Sequence, residues 1–212
     1  MKIVKGNKNV EYTKNEVETL VKGFETVVID LGCGDGRFVY KNAIKNPTSL
    51  FIGVDPAPKQ MEEFSKKVVR KKLLNCIFAI GALDNLPQEL YMRADKLYIL
   101  LPWGSLLSAI AKPSIDSIKQ INFVLKTKAE IEIVFGYAPE LEPNQTTRLA
   151  LDEVTMDSFE KEAAPLFETI GFKIVEQKVL SSAELKNLES TWGKRIFTRD
   201  TRQILRIIFK RL

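Results

Sequence analysis

The chain has no histidine and only two cysteines among its 212 residues. Cys33 and Cys76 are too few for a disulfide framework, and without histidine there is no zinc ligand set to assemble. Long apolar runs are missing as well. None approaches the ~18 residues a membrane span needs, and the opening Met-Lys-Ile-Val-Lys-Gly has no apolar signal region. A cytoplasmic protein with neither membrane nor metal partner is expected. What remains is ordinary for a globular chain: 45% hydrophobic and 28% charged residues, enough for one sizeable domain over 1–212.

Residues 27 to 37, Val-Val-Ile-Asp-Leu-Gly-Cys-Gly-Asp-Gly-Arg, organise the rest. A run that favours a buried strand (Val27, Val28, Ile29, Leu31) meets Gly32, Gly34 and Gly36, and a helical pattern follows. Glycine serves where the backbone takes positive φ or where a ligand touches the main chain. A ligand laid on this turn is expected to meet free amides at a helix start, which favour an anionic group. Cys33, inside the turn, reads as a small filler rather than a nucleophile.

The spacing is GxGxG, not the GxGxxG of a dinucleotide fingerprint, and an acid, Asp30, precedes it. That points away from pyrophosphate and toward a ligand with both an ammonium and a carboxylate, which describes the methionine end of S-adenosylmethionine. A second buried run, Phe51-Ile52-Gly53-Val54-Asp55, ends in an acid 19 residues past Gly36, where a ribose-binding carboxylate belongs. Asp84 follows a third strand at 75–80. Three acids are thus expected on one rim, outside the carboxyl ends of successive strands.

In chain order, residues 1–12 read as a hairpin outside the nucleotide-binding core. Thr13 and Glu16 form a capping box for a helix with Val17, Leu20, Val21 and Phe24 on its apolar stripe. Strands are predicted at 26–31, 50–54, 75–80, 96–101, 129–135, 172–179 and 204–210. Helices are predicted at 36–46, 59–72 (Met61, Phe64, Val68 and Val69 inward), 114–125 and 155–170. Two loop insertions, 137–153 and 180–198, complete the plan. It is an α/β fold with seven strands, alternating helices and a last strand pair that runs antiparallel. Pro102-Trp103-Gly104-Ser105 places a large ring just past the fourth strand.

Net charge is +5, unevenly spread. The last 21 residues carry 7 basic and 1 acidic group, and the preceding 55 carry 5 and 11. A second cluster, Lys66-Lys67-Val68-Val69-Arg70-Lys71-Lys72, has five cations in seven positions at a helix end, where they also suit the helix dipole. Two such patches favour a polyanionic partner, nucleic acid foremost.

Four segments then narrow the reading: Asp-Leu-Gly-Cys-Gly-Asp-Gly-Arg (30–37), Ile-Gly-Val-Asp-Pro (52–56), Leu-Pro-Trp-Gly-Ser-Leu-Leu (101–107) and Trp-Gly-Lys-Arg (192–195). Together they resemble the class I S-adenosylmethionine-dependent methyltransferases. Within that class they resemble the aminoglycoside-resistance 16S rRNA enzymes that modify N1 of an adenine in the decoding site. The opening Lys-Gly-Asn-Lys hairpin is similar too. The resemblance implies a Rossmann-like seven-stranded sheet in which Asp30, Gly32, Gly34 and Phe38 hold the methionine part of the cofactor and Asp55 its ribose. Leu83 and Asp84 frame the adenine, although the family often has Glu where Asp84 stands. Leu100, Leu101, Pro102, Trp103, Gly104 and Ser105 complete the pocket with Ser190, Thr191 and Trp192. Trp103 and Trp192 flank the target base.

Cations expected on RNA are Lys66, Lys67, Arg70 and Lys71, with Lys194, Arg195, Arg199, Arg202 and Arg206 from the tail. Asp200 falls where a cation is expected, and Arg199 stands in for it. The implied partner is 16S rRNA within the assembled 30S subunit, met by a monomer.

The chemistry agrees. Adenine N1 is hidden in a stacked or paired base, so the base must be flipped and held, a task for two indoles 89 positions apart. N1 has a lone pair and no proton, so methyl transfer needs alignment and no general base. The Pro102 carbonyl is the candidate acceptor for the exocyclic amine. The rivals are a methyltransferase acting on a small molecule or another RNA, and a non-catalytic RNA-binding protein on the same fold. A small-molecule enzyme would keep its activity at high salt, where rRNA binding weakens.

Overall fold

The computed structural model describes residues 1–142, 149–188 and 202–212. Among these residues nine strands form one sheet: β1 (Lys2–Lys5), β2 (Lys8–Glu11), β3 (Thr26–Leu31), β4 (Ser49–Asp55), β5 (Cys76–Ile80), β6 (Ala94–Leu100), β7 (Leu125–Phe135), β8 (Phe172–Val179) and β9 (Leu205–Arg211). Their order is β2-β1-β5-β4-β3-β6-β7-β9-β8. The five central strands, β3 to β7, are parallel, and β9 pairs antiparallel with both β7 and β8. The chain reverses direction across the sheet between β3 and β6, which opens a crevice at their carboxyl ends.

Alternation along the strands feeds two cores. Ile29, Ile52, Ile99, Ile131 and Phe209 face α1 (Lys14–Lys22), α4 (Gly104–Ala111), α5 (Ile115–Phe123) and the helical stretch around Phe159 and Phe167. Val28, Phe51 and Phe78 face α2 (Arg37–Lys45) and α3 (Pro58–Lys71). Strands buried on both sides need near-continuous apolar runs, which is what the sequence supplies. Thr13 caps α1 in a full capping box with Glu16, and Ser181 does the same for the helix Ser182–Asn187 with Glu184.

The structure departs from the sequence expectation in four places. The sheet has nine strands, not seven, because the amino-terminal hairpin is part of it: β1 pairs antiparallel with β5, Ile3 opposite Ala79 and Val4 opposite Phe78. Burying Ile3 and Val4 covers what would be the open edge of β5. Val69 points to solvent rather than inward, and α4 begins directly after Trp103 where only a turn was expected. In the predicted 155–170 helix, Met156–Ser158 and Ala164–Thr169 are joined by a π-helical turn, Phe159–Ala163.

Candidate functional site

A cavity of about 570 Å³ lies at the carboxyl ends of β3 to β6. Its walls come from the glycine turn (Asp30 to Asp35), the first turn of α2 (Phe38), the end of β4 and start of α3 (Asp55, Ala57, Gln60), the loop after β5 (Gly81 to Leu83) and the segment after β6. Four strand ends thus contribute to one pocket, as the crevice rule for open α/β sheets requires.

The glycines have distinct tasks. Gly36 has φ +78, and a Cβ there would stand 2.2 Å from Cε1 of Phe78, so this glycine lets α2 approach the sheet. Gly34 has φ +56 and nothing within 4 Å of its would-be Cβ: it keeps the cavity open. The two alanine substitutions should therefore separate by readout. Gly36→Ala is expected to destabilise the fold by about 2–4 kcal/mol in chemical denaturation. Gly34→Ala should cost about 1–2 kcal/mol of backbone strain and act mainly by weakening the ligand in the pocket.

The amides of this turn are not free, contrary to the sequence expectation. Gly32 and Cys33 donate to the Val54 carbonyl at 2.8 and 3.1 Å, Gly34 to Asp55 Oδ2 at 2.9 Å, and Gly36 to the Cys33 carbonyl at 2.9 Å. Arg37 donates its amide to Asp35 Oδ1 at 3.0 Å. The turn is used to join β3 to β4 and to aim Asp55, whose other oxygen accepts from the Ala57 amide at 2.8 Å.

The pocket is therefore acidic, not anion-seeking. Asp30 is 3% exposed, and its Oδ1 is a buried oxygen with no hydrogen-bond partner. Burial pushes its carboxyl up to about 8, with the negative charges of Asp55 and Asp35 adding to the effect. Burial also raises Asp55, against the pull of the Ala57 and Gly34 amides. A buried carboxylate oxygen left without a donor is a defect in a finished core, and an arriving ammonium would cure it. Asp55, held by two amides, retains lone pairs for hydroxyl groups. Cys33 is buried with its Sγ 3.7 Å from Met61 Sδ, and burial raises its thiol well above the ordinary value, as suits a filler.

On the opposite wall the chain leaves β6 through Leu101, a buried residue in the left-handed region (φ +51) whose amide donates to the Val134 carbonyl at 2.7 Å. Such a backbone costs a leucine about 1–2 kcal/mol, and here it leads into Pro102-Trp103 at the mouth. Trp103 lines the cavity while remaining 36% exposed. Leu100, Leu101 and Ser105 also line it; Pro102 and Gly104 are outside the lining.

Of the three acids expected on one rim, the structure brings Asp30 and Asp55 into the cavity, and Leu83 with them. Asp84 is exposed and is not among the lining residues. Asp35, Gln60 and Leu106 were not anticipated. Asp35 lay in plain view inside the glycine turn, while Leu106 enters only because α4 starts early.

Ser190, Thr191, Trp192, Lys194, Arg195, Arg199 and Asp200 lie outside the described residues. Arg202 meets Glu142, and both side chains are buried. Arg206 Nε donates to Glu132 Oε1 at 2.7 Å, and its Nη1 donates to Glu176. Lys96 reaches Glu130 and Glu132 at 2.7 and 3.2 Å, which completes a ladder of charges across β6, β7, β9 and β8. Burial alone would raise Glu132, but Arg206 and Lys96 hold it below its ordinary value. On α3, Lys66 pairs with Glu62 at 3.2 Å, and Lys67 pairs with Glu63 while lying over the Phe64 ring at 4.1 Å. Among the described residues, Arg70 and Lys71 are exposed and meet no carboxylate.

Over most of its length the chain matches one family. The family model NpmA: 16S rRNA (adenine(1408)-N(1))-methyltransferase matches residues 2–209. A 16S rRNA (adenine(1408)-N(1))-methyltransferase of Escherichia coli is 35% identical, with 98% of this chain and 97% of the relative covered. The crystal structure of a 30S ribosomal A1408 methyltransferase from an uncultured bacterium is 37% identical over the whole of both chains, with a TM-score of 0.80. The aminoglycoside resistance methyltransferase NpmB1 is 30% identical, covers 100% of this chain and 99% of its own, and has a TM-score of 0.82.

Proposed function

Because the chain belongs to the 16S rRNA (adenine(1408)-N(1))-methyltransferase family, we infer that it methylates N1 of adenine 1408 in 16S rRNA and so confers aminoglycoside resistance. The methyl donor is S-adenosylmethionine, which when bound supplies an electrophilic methyl group on a sulfonium. The observation that carries the reading is the orphaned Oδ1 of Asp30 in a cavity whose second carboxylate, Asp55, is fixed by two backbone amides. Asp30 takes the donor's ammonium, and Asp55 accepts from its ribose hydroxyls. Gly34 leaves room for the methionine chain beside Phe38, and Leu83 packs against the adenine.

Toward the target base, Trp103 offers an exposed indole face at the mouth, with Trp192 as its counterpart. The Pro102 carbonyl accepts from the exocyclic amine, which orients N1. No residue need remove a proton, since the N1 lone pair would form its bond to the methyl carbon as the methyl–sulfur bond breaks, leaving a neutral thioether and a cationic ring. Indole faces then stabilise that charge by roughly 0.5–2 kcal/mol each.

The rRNA grip comes from α3, where Arg70 and Lys71 meet no carboxylate among the described residues, and from Lys66 and Lys67, whose partners are the half-buried Glu62 and the exposed Glu63. Arg202 and Arg206 would have to share their carboxylates with a phosphate. The assembled 30S subunit is the substrate, because recognition through phosphates and shape needs the folded particle.

Primer extension across the decoding site of 30S subunits tests the reading. Methylation at N1 blocks Watson–Crick pairing, so a stop beside adenine 1408 is expected with S-adenosylmethionine and none without it. A bound cofactor with no stop would move the substrate to another RNA or a small molecule.

A further inference from the structure

The amino-terminal hairpin carries an electrostatic conflict that folding alone does not require. Lys5 and Lys8 stand directly opposite each other as the closing pair of the turn. Like charges in that position destabilise a hairpin. At its other end the same hairpin sets Lys2 opposite Glu11, 4.0 Å apart, so the sheet uses complementary pairing where it has the choice. Among the described residues neither Lys5 nor Lys8 meets a carboxylate, and both are exposed.

The turn is also fixed in place. The Gly6 amide donates to Ser65 Oγ at 2.8 Å, and that hydroxyl donates to the Val4 carbonyl at 2.8 Å. Ser65 is 2% exposed on α3 and immediately precedes Lys66. Val4 packs into the core beneath α3, so Lys5, the next residue of the strand, belongs to the other face of the sheet. The cations of the hairpin and of α3 therefore wrap around one sheet edge.

We propose that this turn is a phosphate-binding tip, in which Lys5 and Lys8 extend the cationic surface of α3 around the edge of the sheet and take a phosphodiester segment of structured rRNA between them. The inference rests on the rRNA reading above. A single anion shared by two facing lysines removes their repulsion, and each such contact releases counterions. Ser65 is a positioning residue that keeps the tip in register with Lys66 and Arg70.

Edge lysines also guard sheets against aggregation, and a charge reversal separates the two roles. Lys8→Glu places a carboxylate opposite Lys5, so the melting temperature should stay level or rise. The KM for 30S subunits should nevertheless increase about tenfold, and the slope of log affinity against log salt should become shallower by about 1–2. Cofactor affinity should stay within about twofold, since the tip is remote from the pocket. The double variant Lys5→Gln/Lys8→Gln should weaken subunit binding in the same direction without creating a new ion pair. If wild-type protein gives the primer-extension stop while both variants bind subunits as it does, the tip is not an rRNA contact and the methyltransferase reading stands. If wild-type protein gives no stop, the rRNA reading falls and this inference falls with it.

Discussion

Trp103→Ala is expected to lower kcat/KM for 30S methylation by about 1,000-fold or more while the Kd for S-adenosylmethionine moves less than about threefold. Stacking of one base on an aromatic ring is worth about 1–3 kcal/mol, and misplacing N1 by an ångström adds about another 100-fold. Cofactor affinity is spared because Asp30, Asp55 and Leu83 lie on other walls of the cavity. Trp103→Phe keeps a smaller ring on the same extended backbone and should retain an intermediate rate. Single-turnover methylation of subunits, alongside calorimetric cofactor binding, separates the two effects. Near-normal turnover by the alanine variant would remove the stacking role.

Asp30→Asn should act oppositely on ligand binding and on the stability of the ligand-free protein. Burial pushes the Asp30 carboxyl up to about 8, far above the ~3.9 of an unfolded chain. Between these values the folded state holds a proton that the unfolded state has released, so this group's contribution to stability falls as pH rises from about 4 to 8. Above pH 8 the carboxylate is buried, charged and without a partner, at a cost of about 2–5 kcal/mol. The amide carries no such cost, so the variant should melt higher than the parent at pH 8.5, with the gap closing toward pH 4. An ammonium ligand needs the charged carboxylate, so the variant should lose about 100-fold or more in cofactor affinity. For the parent, binding at pH 7 should release about one proton, measured by calorimetry in buffers of different ionisation enthalpy. No proton release would mean that Asp30 is not the ammonium partner.

Local pattern made much of the nucleotide-binding half readable in advance. Val27 to Gly36 announces strand, turn and helix because an apolar run meets glycines at the backbone positions that need them. Asp30 and Asp55 follow from standing at strand ends. Contacts between distant segments were hidden. The pairing of Ile3 with Ala79 joins residues 76 apart in the chain, so the hairpin read as an appendage. The Gly34 amide reads as free until β4 brings Asp55 beneath it. Arg202 and Arg206 read as surface cations, because Glu142, Glu132 and Glu176 reach them only through the fold. Val69 looked inward by spacing, but the core beneath α3 is already filled by Met61, Phe64 and Val68.

The position of Trp103 at the mouth of the cavity has an optical consequence. The chain has one other indole, Trp192, so in a Trp192→Phe variant all tryptophan emission would come from a ring that is one-third open to water. Its fluorescence should be red-shifted and open to collisional quenchers in protein without substrate. A purine laid against it would quench the emission by contact, without any label. Base capture would then have its own signal, recorded in a stopped-flow instrument apart from methyl transfer, and the order of the two events could be timed directly.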